Sequence, residues 1–188
     1  MNDRAQIRGD LLLVGKGKNI KLILSGDRID ICGTMEFVNI SSSCENITVE
    51  AENAVMVGTD INMPDVVLKG LFVCSGEIKD GIFDENGTVT NNGKITGGIF
   101  YGTVFGTANI EDSAKRTASF DTNGGSAVDP QKILRGQKAK VPTGSKKDGY
   151  VFDGWYKGTE KYNFNTPVLD DFTLTAQWTE SAFTVRFD

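Results

Sequence analysis

The chain has 188 residues with 22 glycines, no histidine and a formal net charge of −5 at pH 7. The acidic balance and the scattered Lys and Arg residues argue against a nucleic-acid-binding role. Without histidine the chain lacks the usual general base, the usual catalytic triad and most zinc and iron ligands, so paired carboxylates are the main catalytic chemistry left to consider. We predict no metal site and no cofactor.

The three cysteines, Cys32, Cys44 and Cys74, lie in the first half of the chain. Their odd number argues against a disulfide framework, and their apolar or small neighbours predict buried side chains, although a Cys32–Cys44 bridge is left open. The longest apolar run near the start, residues 11–14, is too short for a signal peptide or a membrane span. We therefore expect a fragment of a larger protein that is not itself transmembrane.

The first part of the chain, residues 1–114, is a series of short β-branched runs without a helical pattern. Gly, Asn, Asp and Ser turn signals bound each run, as expected for strands. Regular short strands of this kind are typical of a β-sandwich, a barrel or a solenoid. The runs lie at residues 20–24, 28–31, 35–40, 46–49, 54–57 and 66–68.

An internal repeat favours the solenoid. The sequence GEIKDGIF at residues 76–83 recurs 17 residues later as GKITGGIF, a spacing of about one solenoid coil. A coil cannot bury its apolar face alone, so equivalent residues stack on the next coil. We expect Ile78 to stack on Ile95, and Phe83 on Phe100. The prediction is a right-handed β-solenoid, also called a β-helix, with a duplicated hairpin in a β-sandwich as the alternative.

Many polysaccharide lyases and hydrolases are β-solenoids, which raises an enzyme hypothesis for this region. No carboxylates have the spacing of a dedicated acid–base pair or of a complete calcium loop. A fold alone does not imply a function, so we interpret them as solvent-facing corner residues and predict no catalytic residue. The carboxylates considered are Asp60, Asp65, Asp80, Asp84 and Glu85.

The composition changes near residues 112–118 from Gly- and Ile-rich to Lys- and aromatic-rich, which predicts a linker. The predicted domains are residues 1–114 and 115–180. The remaining residues, 181–188, end in FTVRFD, which resembles RTASFD 67 residues earlier. They are predicted to be the start of a further repeat or a closing strand, and repeats at this spacing imply modular arrays.

Residues 148–156 concentrate four aromatic side chains and two glycines in nine residues. The alternation predicts a strand, and Gly154 within it predicts a bulge or a close backbone approach. The aromatics are either the core of a small domain, which we favour, or a platform for glycan stacking. In the second case the candidate ligand-facing residues are Tyr150, Trp155 and Tyr156.

The block around this stretch resembles the Listeria–Bacteroides repeat, the B-repeat of listerial internalins. The resemblance implies a small β-grasp-like (α+β) module of secreted or wall-attached bacterial proteins, often in tandem and without catalytic residues. Within it, the segment after Pro130 is either a helix or a strand ended by Gly136, and we favour the strand. The matching positions, all structural, are Phe120, Gly124, Gly125, Pro142, Gly149, Tyr150, Phe152, Gly154, Trp155, Phe164, Pro167, Leu174 and Trp178.

The sequence therefore predicts a mostly β, non-catalytic repeat protein, extracellular or on a bacterial cell surface, with a role in adhesion or as a spacer and interaction unit. The alternative is a fragment of a carbohydrate-active β-helix enzyme with an appended repeat. The expected partner is a protein or glycan on another surface, bound more tightly through tandem repeats in the full-length protein. Nucleic acid is not expected.

Overall fold

The structure, a computed structural model, describes residues 60–106, 109–143 and 145–181, and the backbone of six strands within residues 4–58. It is mostly β, as predicted, and the described residues include no α-helix and no helix long and apolar enough to cross a membrane. The strands are β1 Arg4–Ile7, β2 Leu11–Gly15, β3 Asn19–Ser25, β4 Arg28–Ile31, β5 Thr34–Asn39, β6 Asn46–Gly58, β7 Asp60–Cys74, β8 Glu77–Phe83, β9 Thr88–Asn91, β10 Lys94–Ile95, β11 Ile99–Phe100, β12 Thr103–Phe105, β13 Lys115–Asp121, β14 Gln131–Leu134, β15 Tyr150–Lys157, β16 Glu160–Lys161 and β17 Phe172–Glu180.

The chain divides into two compact units. The first comprises Met1–Lys115 and Leu134–Gln137, and the second comprises Arg116–Ile133 and Lys138–Asp188. The first boundary between the units falls between Lys115 and Arg116, within residues 112–118, the segment predicted to be a linker. A short 3-10 turn at Asp112–Ala114 leads directly into β13, where the Ala118 side chain is fully buried.

The strands of the first unit form one curled sheet in which every described pairing is parallel. The 17-residue repeat is in register, because Ile78 pairs with Ile95 and Phe83 with Phe100. Both isoleucines are fully buried, and the two phenylalanine rings stack with centroids 4.7 Å apart and planes 6° apart. The predicted stacking is confirmed, and the parallel pairing excludes a duplicated hairpin, whose strands would be antiparallel.

Three apolar columns run across this sheet. Each consists of residues that pair in succession from strand to strand, and the described side chains in the first two columns are almost completely buried. Such a column is an apolar stack that no single strand could bury. The columns are Met35–Ile61–Ile78–Ile95, Val49–Leu68–Phe83–Phe100, and Met56–Phe72–Val89–Val104.

The predicted strands of this unit are present, but two of the runs are not separate. Residues 46–49 and 54–57 both lie in β6, whose register shifts between Glu50 and Val55. Strand β7, which is 15 residues long, also continues through Asp65, whose φ is 61°. A bend at one left-handed residue turns the chain without interrupting its pairing on both sides.

The second unit is a five-stranded sheet in the order β14-β13-β17-β15-β16. Strands β13 and β17 pair in parallel at its centre, and β15 pairs antiparallel with both β17 and β16. The segment after Pro130 is the strand β14, as favoured, and Gly136 with a φ of 96° follows its end. The β-grasp-like (α+β) prediction is not confirmed, since no α-helix occurs in the described residues of this unit.

Candidate functional site

The aromatic stretch at residues 148–156 forms most of β15. The predicted bulge is present, because the register with β17 shifts between Phe152 and Gly154, and Gly154 has a φ of 145°. A Cβ atom on Gly154 would lie 2.6 Å from Cε of Lys161. The Lys161 ammonium donates to the Asp153 carbonyl at 2.7 Å. Glycine at position 154 therefore allows the bulge and leaves room for the Lys161 side chain beside it.

Trp155 is a core residue of the second unit. It is only 3% exposed and packs with Leu174 and Ala176. Its ring lies edge to face with the Phe120 ring, with the two ring centroids 5.0 Å apart. Its indole Nε1 is buried and has no hydrogen-bond partner among the described residues. This placement agrees with the core interpretation of the stretch, and a ligand-facing role for Trp155 stays a prediction.

Tyr150 and Tyr156 are half-buried on the same strand. The ammonium of Lys147 lies 4.3 Å from the centroid of the Tyr150 ring, so one face of that ring is already occupied by a cation. The exposed aromatic side chain of this stretch is Phe152, at 38%, and its ring centroid lies 5.5 Å from that of Trp155 and 5.1 Å from that of Trp178. A ligand-facing role for the two tyrosines stays a prediction.

The turn after β13 depends on Trp178. Its Nε1 donates to the Thr122 carbonyl at 2.9 Å, and Asn123 and Gly124 turn the chain with φ values of 49° and 84°. A Cβ atom on Gly125 would lie 2.5 Å from Cζ2 of Trp178. The two glycines of the motif are thus explained by a left-handed turn and by close indole packing.

Residues 117–177 match the family model of the Listeria-Bacteroides repeat domain. The second unit carries a Listeria–Bacteroides repeat. Several of the anchors quoted from the sequence have structural tasks in it: Phe120, Trp155 and Leu174 pack together, Gly124 lies in the turn after β13, and Gly154 lies at the bulge of β15. None of the anchors is an Asp, Glu, Lys, Cys or Ser residue.

Curated relatives match over about the same length as this repeat. A putative Gly-rich membrane protein of Evansella cellulosilytica is 36% identical over 76 residues, 38% of this chain and 9% of the relative. A putative membrane protein of the same bacterium is 37% identical over 76 residues, 38% of this chain and 11% of the relative. Internalin H of Listeria monocytogenes is 36% identical over 77 residues, 38% of this chain and 14% of the relative. The chain thus spans a small part of each relative's length.

Three carboxylates of the first unit accept hydrogen bonds from backbone amides. Oδ1 of Asp60 accepts a hydrogen bond from the Glu77 amide at 2.7 Å, and Oδ1 of Asp80 accepts one from Gly81 at 2.8 Å. Oδ1 of Asp84 accepts one from the amide two residues on, at 2.9 Å. Among the residues that the structure describes, no group of three or more His, Cys, Asp or Glu side chains could hold a metal ion.

The other two carboxylates considered, Asp65 and Glu85, are exposed, and Asp65 occupies the left-handed bend of β7. Glu77 accepts hydrogen bonds from Thr96 at 2.8 Å and pairs with Lys94 at 3.4 Å, and these contacts lower the pKa of Glu77. These pairs link neighbouring parallel strands through side chains as well as through the backbone.

Cys74 is fully buried at the end of β7, as predicted, and burial raises the pKa of its thiol to about 11. A thiol in this state is a poor nucleophile at neutral pH, since the thiolate is the reactive form. Cys32 and Cys44 lie outside the described residues, as does the 182–188 part of the predicted further repeat.

Sequence reasoning missed a groove in the second unit that we call the lysine groove. Its lining is Gln131, Lys132, Ile133, Lys138 and Lys140, and its volume is about 320 Å³. The Gln131 side chain makes two hydrogen bonds to the Lys140 backbone, both at 2.8 Å. Its Nε2 donates to the Lys140 carbonyl, and its Oε1 accepts from the Lys140 N–H. The detectable signal was a basic run in the sequence, because residues 131–147 contain six Lys and Arg and no Asp or Glu.

Proposed function

We propose that the chain is part of a bacterial cell-surface or secreted protein, in which a β-solenoid spacer precedes a non-catalytic Listeria–Bacteroides repeat. The observation that carries the proposal is the family match over residues 117–177. It is supported by relatives described as an internalin and as membrane proteins. Adhesion or spacing is the role that such an arrangement serves.

The solenoid part of the proposal rests on the first unit's pairing. All described pairings there are parallel, the 17-residue repeat pairs with itself, and Phe83 and Phe100 stack ring on ring. Stacked coils whose equivalent residues form continuous columns are what a solenoid requires. We propose a right-handed coil, because parallel crossovers are nearly always right-handed.

The absence of catalysis is also a proposal. It is supported by the hydrogen bonds that Asp60, Asp80 and Asp84 accept from backbone amides, because these bonds already engage the three carboxylates. A glycosidase pair would instead converge across a bound sugar. The test is to incubate the chain with a panel of polysaccharides and measure new reducing ends. Release that is lost in Asp60→Asn would establish the enzyme alternative.

Surface location is tested with antibodies against this chain in the organism that encodes it. We expect intact cells or the culture medium to be labelled, and protease added outside the cells to remove the signal. A cytoplasmic enzyme, probed in parallel, should resist the same protease. Labelling that appears only after cell lysis would overturn the proposal.

A further inference from the structure

Positive charge is concentrated in one segment of an acidic chain. Residues 131–147 hold six of the 20 Lys and Arg residues and none of the 25 Asp and Glu residues. The rest of the chain is therefore more acidic than the net charge of −5 suggests. A local basic surface on an acidic protein attracts anions to one place, while the remainder repels them.

Three of these basic residues line the lysine groove. Lys132, Lys138 and Lys140 are exposed, and neither Lys138 nor Lys140 forms an ion pair within the described part of the chain. The backbone that lines the groove is held in place by contacts that do not involve the lysine ammonium groups. Ile133 is 7% exposed in the core cluster with Ala118, and Gln131 is bound to the Lys140 backbone. The lysines thus project from a backbone that is held in place.

We propose that the lysine groove binds a linear anionic polymer whose sulfate or phosphate esters are spaced along a sugar or polyol chain. The choice of this partner rests on the proposed surface location, because such polymers occur at cell surfaces. Each ammonium is a compact charge with three donors on a flexible stem, which suits successive ester groups that are not held in one fixed geometry.

The lining of the groove favours a glycan or polyol over nucleic acid. Proteins that bind single-stranded nucleic acid combine a basic groove with aromatic side chains on which bases stack. The lysine groove contains no aromatic residue. It offers three lysine charges and no ring on which a base could stack, which matches a polymer without flat bases.

The test uses the 188-residue chain and three fluorescent probes: a sulfated heparin-type octasaccharide, poly(glycerol phosphate) and an oligo-dT strand of similar charge. The groove variant is Lys132→Gln, Lys138→Gln and Lys140→Gln together. The matched control removes three charges from the first unit, with Lys69→Gln, Lys79→Gln and Lys94→Gln. A third variant places Arg at the three groove positions and preserves their charge. Circular dichroism verifies that all variants are folded.

We expect saturable binding of the sulfated or the phosphate polymer, with an affinity about tenfold lower in the groove variant and lower again at high salt. The control and the Arg variant should stay within about threefold of the wild type, since exposed charges elsewhere contribute little. The two polymer probes decide which ester is bound. Absence of binding, equal loss in the control, or tighter binding of oligo-dT would overturn the proposal. None of these outcomes depends on the cell-surface experiment.

Discussion

Gly136 and Gly149 both have a left-handed backbone conformation, but their surroundings differ. Both have positive φ, 96° and 78°, but a Cβ on Gly136 would lie 2.6 Å from the Phe100 amide nitrogen, whereas nothing lies within 4 Å of one on Gly149. Alanine at Gly149 should cost about 1–2 kcal/mol, the strain of the left-handed region. Alanine at Gly136 should cost more, because the clash is with backbone that cannot rotate away. Urea unfolding followed by circular dichroism measures both, and equal losses would contradict the clash.

Phe100 and Phe105 form a second residue pair for comparison. Phe100 is completely buried and stacked on Phe83, whereas Phe105, on the next strand along the chain, is 56% exposed. Phe100→Ala should lower the free energy of unfolding by about 3–5 kcal/mol through lost burial and a cavity. Phe105→Ala should change it by about 0.5 kcal/mol or less. A similar loss in both variants would mean that the ring stack contributes nothing beyond ordinary surface packing.

Cys74 gives the first unit a pH dependence above neutrality. The pKa of this thiol is raised from its ordinary value near 9.0 to about 11, chiefly by burial. Between these two values the unfolded chain loses the proton and the folded chain keeps it, so stability is complete below pH 9 and declines as pH rises toward 11. Urea midpoints measured across this range should fall more steeply in the wild type than in Cys74→Ala. Lysine and tyrosine ionisation is common to both proteins, so parallel curves would rule out the thiol as the cause.

At the scale of the element, the 17-residue repeat is the unit that the sequence predicts best. The 17-residue offset was visible because stacked positions repeat the same residue types, and the structure pairs them in that register. The sequence did not show that β6 is one continuous strand, because the residues at the register shift within it resemble those at the end of a strand. Alternation likewise could not place Trp155 beside Phe152, since the bulge at Gly154 shifts the phase by one residue.

The lysine groove was missed for a related reason. Its residues come from two segments, around Ile133 and around Lys138, that a periodicity search treats separately. The Gln131 side chain holds them together through the Lys140 backbone, and no propensity rule foresees such a contact. The basic composition of the segment was readable from the sequence, whereas its geometry was not.

A coil that stacks on its neighbours should also be repeatable. We predict that a second copy of residues 77–93, inserted after Gly93, is accommodated as an additional coil. Ile78 and Phe83 of the new copy would continue the existing columns, so the β signal in circular dichroism should increase and cooperative unfolding should persist. An insertion of equal length made of Gly and Ser should destabilise the unit. A loss of folding with the duplicated coil would contradict the solenoid.

At the scale of the whole molecule, the absence of histidine predicts an interaction that is sensitive to salt but not to pH. No side chain of ordinary pKa titrates between pH 6 and pH 8 in such a chain. Affinity for the anionic polymer should therefore change by less than about twofold between these pH values, and fall by about tenfold or more from 50 to 200 mM salt. Titrations at both pH values and both salt concentrations measure this. A strong pH effect with little salt effect would mean that lysine charge is not the basis of binding.

The central strand pair of the repeat has a mechanical consequence. Strand β13 opens the second unit and β17 is its last described strand, and the two lie side by side in parallel from Ala118–Phe172 to Asp121–Thr175. The Thr117 amide and the Arg116 guanidinium add bonds to Asp171 and to the Leu169 carbonyl at the same end. Tension applied to the two ends of the repeat would slide these strands past each other, so their hydrogen bonds would be loaded in shear and break together. A module connected in this way resists being pulled open one bond at a time, so it would transmit tension from one of its ends to the other.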